Sequence, residues 1–60
     1  MRTFTLGQIQ AASEDSGGFC LHCGAEAFGV EPDARNYDCE ECGEPLVFGA
    51  EELLLMGRVR

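Results

Sequence analysis

All four cysteines of this chain fall in two C-x2-C pairs, Cys20–Cys23 and Cys39–Cys42, each followed directly by a glycine, Gly24 or Gly43. Two residues between cysteines let one tight turn aim both sulfurs at a single point. Glycine after the second cysteine accepts positive φ, so that backbone N–H groups can fold back onto the thiolates. Fifteen residues separate the two pairs, a spacing within the range of zinc sites. The chemistry expected is a tetrahedral cage in which Cys20, Cys23, Cys39 and Cys42 bind one Zn2+. Four sulfur ligands leave no open position for a catalytic water, so the expected role of the metal is structural. Sulfur ligation alone does not choose between zinc and iron. A tetrathiolate iron centre that moves one electron is therefore the alternative.

Other reactive side chains are few. His22 is the only histidine and lies inside the first pair, Cys20-Leu21-His22-Cys23. A turn that aims two sulfurs inward faces the residues between them outward, so His22 is expected to be an exposed spectator. A redox role for C-x2-C needs a βαβ setting that this sequence lacks. One histidine with no supporting motif offers no nucleophile–base–acid arrangement. Glu40, Glu41 and Glu44 crowd the second pair, where adjacent solvated carboxylates are the ordinary case. No catalytic residue is assigned, and an enzyme is not expected.

The elements around the cysteines must be small. Sixty residues make a single domain, and chains below roughly 70–80 residues usually need a staple. Disulfides would suit a secreted protein and a metal the reducing cytosol. Residues 1–6 carry no apolar run of signal-peptide length, and a C-x2-C disulfide would close only a very small loop. Metal binding and a cytoplasmic location are expected. The longest apolar run, Leu53 to Met56, is far too short to span a bilayer. Eleven acidic residues against four basic ones give a formal charge of −7, with no lysine. Phosphate binding rests on Lys and Arg, so nucleic acid is a disfavoured partner, served only by Arg2, Arg58 and Arg60 at the termini. An acidic surface suits solubility or a basic protein partner.

Three segments follow. Residues 3–14 read as an N-terminal helix: Thr5 and Gln8 match a capping box, Phe4 and Ile9 occupy the staple positions, and Leu6, Ile9 and Ala12 share one face. Ser13 to Gly18 reads as a flexible linker or helix stop. Residues 19–48 form the metal-binding body, with a short strand expected over Ala27–Val30 and a turn over Glu31–Asn36, where Pro32 suits the first central position. Phe28, Tyr37, Leu46 and Phe48 are expected to form a small core around the site. Residues 49–57 read as a C-terminal helix with Glu51 and Glu52 in its first turn and Gly57 at its C′ stop. Leu53 to Met56 places apolar side chains all round that helix. Either they pack against Leu6 and Ile9, or they expose a patch for a partner or a second copy.

The order of strands, knuckles and turn from Cys20 to Phe48 resembles a zinc ribbon. That likeness covers about half the chain and implies a small metal-stabilised α+β fold: two knuckles with a short antiparallel sheet, flanked by a helix at each end. Rubredoxin-like proteins share the C-x2-C-G knuckle, but Cys39-Glu40-Glu41-Cys42-Gly43 lacks the proline that they commonly carry after the third cysteine. Gly18-Phe19-Cys20, Gly29-Val30-Glu31-Pro32-Asp33-Ala34-Arg35 and Gly49-Ala50-Glu51-Glu52-Leu53 resemble small zinc-ribbon proteins encoded by bacteriophages and prophages. This implies a bacterial cytoplasm and contact with host proteins, with no reaction attached. The function expected is a zinc-binding structural and interaction module. Rubredoxin-like electron transfer and weak nucleic-acid binding are the alternatives.

Overall fold

Thr5 opens the first helix. In the computed structural model, which describes residues 2–60, its hydroxyl accepts from the Gln8 amide at 3.1 Å, and the Gln8 side chain accepts from the Thr5 amide at 2.9 Å. This reciprocal pair satisfies two otherwise orphaned donors. Helix α1 spans Leu6–Glu14, so it starts later than residue 3. Phe4 is instead extended and pairs in parallel with Val59. Its amide donates to Arg58 and its carbonyl accepts from Arg60, which ties the two ends of the chain together. Phe4 and Ile9 are both buried, as a staple requires, and Phe4 stacks on Phe19 with ring centroids 4.5 Å apart. Leu6 does not join Ile9 and Ala12 in the core but stays 49% exposed. The Phe4 ring occupies the core beside Ile9.

The polar stretch after α1 serves as the helix stop, with Asp15 at the C-cap, and not as a flexible linker. Ser16 turns the chain with φ 53, and Gly17 and Gly18 then begin the central strand of the sheet. Strands β1 (Gly17–Cys20), β2 (Glu26–Phe28) and β3 (Val47–Gly49) form an antiparallel sheet in the order β2-β1-β3. Gly18 faces Ala27 on one side and Gly49 on the other. A Cβ at Gly18 would run into the Phe48 carbonyl, and one at Gly49 into the carbonyls of Glu31 and Pro32. Here glycine serves close backbone approach rather than mobility. Composition does not distinguish the two.

Alternation along the strands separates two small cores. Phe19 and Phe48 face the helices and join Phe4, Ile9, Ala12, Leu21, Ala50 and Leu53. Cys20 and Val47 face the other side, with Val30, Ala34 and Cys39. Of the core expected around the cysteines only Leu46 packs there, while Phe48 is buried in the helix-side core and Phe28 and Tyr37 are exposed. Phe28 is 67% exposed: it sits on the outer strand opposite Gly17, which offers no side chain to pack against. Tyr37 turns outward and donates its hydroxyl to the Glu31 carboxylate at 2.7 Å. Small residues suffice beside four sulfurs. The Pro32 turn forms as expected, closed by the Ala34 amide on the Glu31 carbonyl.

Helix α2 spans Ala50–Leu55, one strand residue later and shorter than residues 49–57. The Gly57 amide donates to Leu54 and the Arg58 amide to Leu53, the bond pattern of a Schellman stop. Of the apolar run only Leu53 is fully buried, while Leu54, Leu55 and Met56 are exposed. The helix therefore packs through Ala50 and Leu53, and Met56 does not meet α1 in the core. Glu52 is buried instead, with Oε1 3.1 Å from Arg35 Nε and its amide on the Pro32 carbonyl. This contact fastens α2 to the turn between the two cysteine pairs.

Candidate metal centre

The two C-x2-C-G turns repeat one another atom for atom. In the first, the Gly24 amide donates to the Cys20 carbonyl and the Cys20 amide to the Ala25 carbonyl, both at 2.9 Å. In the second, Gly43 donates to Cys39 at 2.9 Å and Cys39 to Glu44 at 3.0 Å. Gly24 and Gly43 sit at φ 81 and 79, the left-handed region where a side chain would be strained. That conformation closes each turn and aims its amides at sulfur. Cys20 Sγ accepts from the amides of His22 at 3.3 Å and Cys23 at 3.5 Å. Cys39 Sγ accepts from those of Glu41 at 3.4 Å and Cys42 at 3.5 Å. The second sulfur of each turn is served by the amide two residues on, Ala25 for Cys23 and Glu44 for Cys42.

Strand β1 delivers the first turn and the segment after Tyr37 the second, which is anchored where Tyr37 and Val47 exchange backbone bonds. The turns meet with their sulfurs crossed. Cys20 Sγ lies 3.7 Å from Cys42 Sγ, Cys23 Sγ lies 3.6 Å from Cys39 Sγ, and all four atoms fall within 4.8 Å of one another. A tetrahedron with metal–sulfur bonds of about 2.3 Å has sulfur–sulfur edges of about 3.8 Å. The four cysteines are positioned to hold a metal ion. Cys20 and Cys39 are buried, Cys23 and Cys42 half-buried.

The surroundings tune the thiols unequally. At Cys39 the Cys42 and Glu41 amides outweigh burial and hold the thiol down at about 7, against an ordinary 9.0. At Cys42 the Glu44 amide acts downward, but burial and hydrogen bonds shared with Cys20, Cys39 and Cys23 push it up to about 12. Cys23 also ends above its ordinary value: the Ala25 amide lowers it, and burial and its contact with Cys39 raise it further. Cys39 thus forms a thiolate more readily than an ordinary cysteine, whereas Cys23 and Cys42 hold protons that a metal must displace.

The side chain of His22 is exposed, as expected, and Glu40, Glu41 and Glu44 are exposed too. Leu21 departs from the outward-facing rule for the first turn: it is 2% exposed and belongs to the helix-side core. Its amide donates to the Leu46 carbonyl at 2.8 Å, which pins the turn to the strand leaving the second one. Arg2 also escapes sequence reasoning. Its Nε donates to the His22 carbonyl at 3.1 Å, and its stem lies over Gly24. A Cβ there would press on Arg2, a second reason for glycine that spacing alone does not reveal. The sequence signal was slight: a single arginine far from the cysteines along the chain.

No family model, no curated protein and no solved structure matches this chain. The resemblance to phage-encoded proteins has no match beside it. Among the described residues, no helix is long and apolar enough to cross a membrane. The chain is a small α+β protein with a three-stranded antiparallel sheet, two helices and a four-cysteine cluster suited to a metal.

Proposed function

We propose that this chain is a zinc-ribbon-like module in which Cys20, Cys23, Cys39 and Cys42 hold one structural Zn2+, and that it works by binding another protein. The observation that carries the reading is the closed set of four sulfurs, all within 4.8 Å of one another and served by backbone amides from both turns. Zinc favours such a set for structural sites. With no other ligand assigned and an exposed spectator histidine, the reading excludes catalysis and makes the metal a staple. Interaction is then the work left to the surface, which carries a formal −7 and exposes Phe28, Leu54 and Leu55. A phage-derived modulator of host machinery in a bacterial cytoplasm fits this reading, supported only by the sequence resemblance.

Rubredoxin-like electron transfer is the second reading, favoured by the half-exposed Cys23 and Cys42, which bring metal-bound sulfur close to the surface. Native mass spectrometry with elemental analysis, on protein purified without added metal, separates the two. One zinc per chain is the expected result. Iron in protein expressed with ample zinc would replace the structural reading by the redox one. Weak nucleic-acid binding through Arg2, Arg58 and Arg60 would require a gel shift that is lost when the arginines are changed. The acidic balance argues against it.

A further inference from the structure

The two outer edges of the sheet are treated differently. On β3 the Val47 amide and carbonyl exchange bonds with Tyr37, and the Gly49 amide donates to Ala34, so that edge is covered. On β2 the bond from the Cys20 amide to the Ala25 carbonyl sets the alternation. Gly18 and Ala27, paired two residues further along each strand, face each other, and the N–H and C=O groups of Glu26 and Phe28 point away from β1. Among the described residues, no other backbone segment bonds to them. A groove of about 460 Å³ lies between this strand and the segment carrying the second cysteine pair. Glu26, Ala27 and Phe28 of the strand line one side of it, and Tyr37, Asp38, Glu40 and Glu41 the other. No basic residue lines it.

We infer that the open edge of β2 and this groove form a docking site for an extended, lysine- or arginine-rich segment of a partner protein, which adds to the sheet as a fourth strand. The inference rests on the interaction-module reading and gives it a surface. Backbone groups of Glu26 and Phe28 supply the strand-addition bonds, which confer affinity without reading sequence. Specificity comes from the wall opposite the strand: the acidic Asp38, Glu40 and Glu41 attract cationic side chains, and the exposed Tyr37 offers a ring on which an ammonium or guanidinium group rests. The same charges exclude a second copy of this chain, whose own edge is acidic and would meet like charge, a recognised guard of open edges. Val30 and Val47, both buried and both lining the groove, give its deeper part an apolar surface for the alternate side chains of the incoming strand.

The test uses the full zinc-loaded chain and the blocked peptide acetyl-Lys-Val-Lys-Val-Lys-Val-amide, with zinc content measured on the same sample. Binding is followed by fluorescence anisotropy of a labelled peptide, and hydrogen exchange is read residue by residue. The expected result is saturable, salt-sensitive binding, with exchange of the Glu26 and Phe28 amides slowed about tenfold or more. A peptide with glutamate for lysine, or with backbone N-methyl groups on its bonding edge, should not bind measurably. The double variant Glu40→Gln/Glu41→Gln should weaken binding about fivefold. Binding without protection of Glu26 and Phe28, equal binding of the N-methylated peptide, or no binding by a chain carrying its zinc would each overturn the docking site and leave the metal reading intact. A chain that keeps its sheet without zinc would overturn the metal reading instead, and the peptide titration on that folded chain would still be decisive for the groove.

Discussion

At the scale of single residues, the amides that converge on sulfur set how the site responds to pH. Cys39 lies below its ordinary value of 9.0, so its thiolate favours the folded chain. That contribution is complete above about 9 and is lost as pH falls through about 7. Cys42 has the opposite sign: its contribution is complete below about 9 and is lost as pH rises through about 12. Acidification therefore acts in the same direction as proton competition for the ligands. Zinc release, followed with a chromophoric chelator, is expected to rise as pH falls below neutral, and release that stays flat down to strong acid would contradict this. Gly18 makes a second residue-scale prediction. Gly18→Ala drives a methyl group into the Phe48 carbonyl, which must move for the sheet to close. The expected loss is about 1–3 kcal/mol in denaturant unfolding, where the same change at Gly7 in α1, which meets only the Thr5 hydroxyl at ordinary contact distance, should be neutral or stabilising. Equal effects at the two sites would show that close approach is not why Gly18 is glycine.

At the scale of elements, α2 is the clearest case of tertiary context deciding what a sequence pattern leaves open. Four consecutive apolar residues, Leu53 to Met56, point in every direction around one turn, so periodicity names no buried face. Packing selects Leu53, which is fully buried, and leaves Leu55 76% exposed. Leu53→Ala should cost about 2–5 kcal/mol and Leu55→Ala well under 1 kcal/mol, both read from urea midpoints at constant slope. Similar costs at the two positions would mean that Leu55 is covered in solution. The caps behaved otherwise: Thr5 with Gln8 and Gly57 after Met56 were legible because capping chemistry is local. Sheet pairing was not local, and Gly17-Gly18, which composition marks as linker, proved to be the centre of the sheet.

At the scale of the whole molecule, the chain holds two small cores on either side of a three-stranded sheet, with the cysteine cluster completing one of them. Neither core is large for sixty residues, and a chain of this size buries only about 60% of its unfolded surface. A net charge of −7 adds self-repulsion, and a divalent ion held by four thiolates would leave the site itself anionic. On the proposed reading the metal would be part of the folding equilibrium. Chelation should abolish the sheet between Gly17 and Gly49 in far-UV circular dichroism and amide spectra, with recovery on adding zinc. A native-like spectrum of the fully chelated chain would show that the helix-side core stands alone.

By itself the sequence determined the four-cysteine cluster that could hold a metal, the two turns that present it, the helix caps and the Pro32 turn. Each depends on residues within a few positions of one another, where backbone geometry leaves few choices. Only the tertiary structure decided which aromatics are buried, why Gly18 and Gly49 are glycine, that Glu52 pairs with Arg35, and that Arg2 lies across the first cysteine turn. Those facts depend on segments far apart in the chain meeting in space. Hydrophobicity says that Phe28 and Phe48 both favour burial; strand order puts Phe48 under two helices and leaves Phe28 at an open edge.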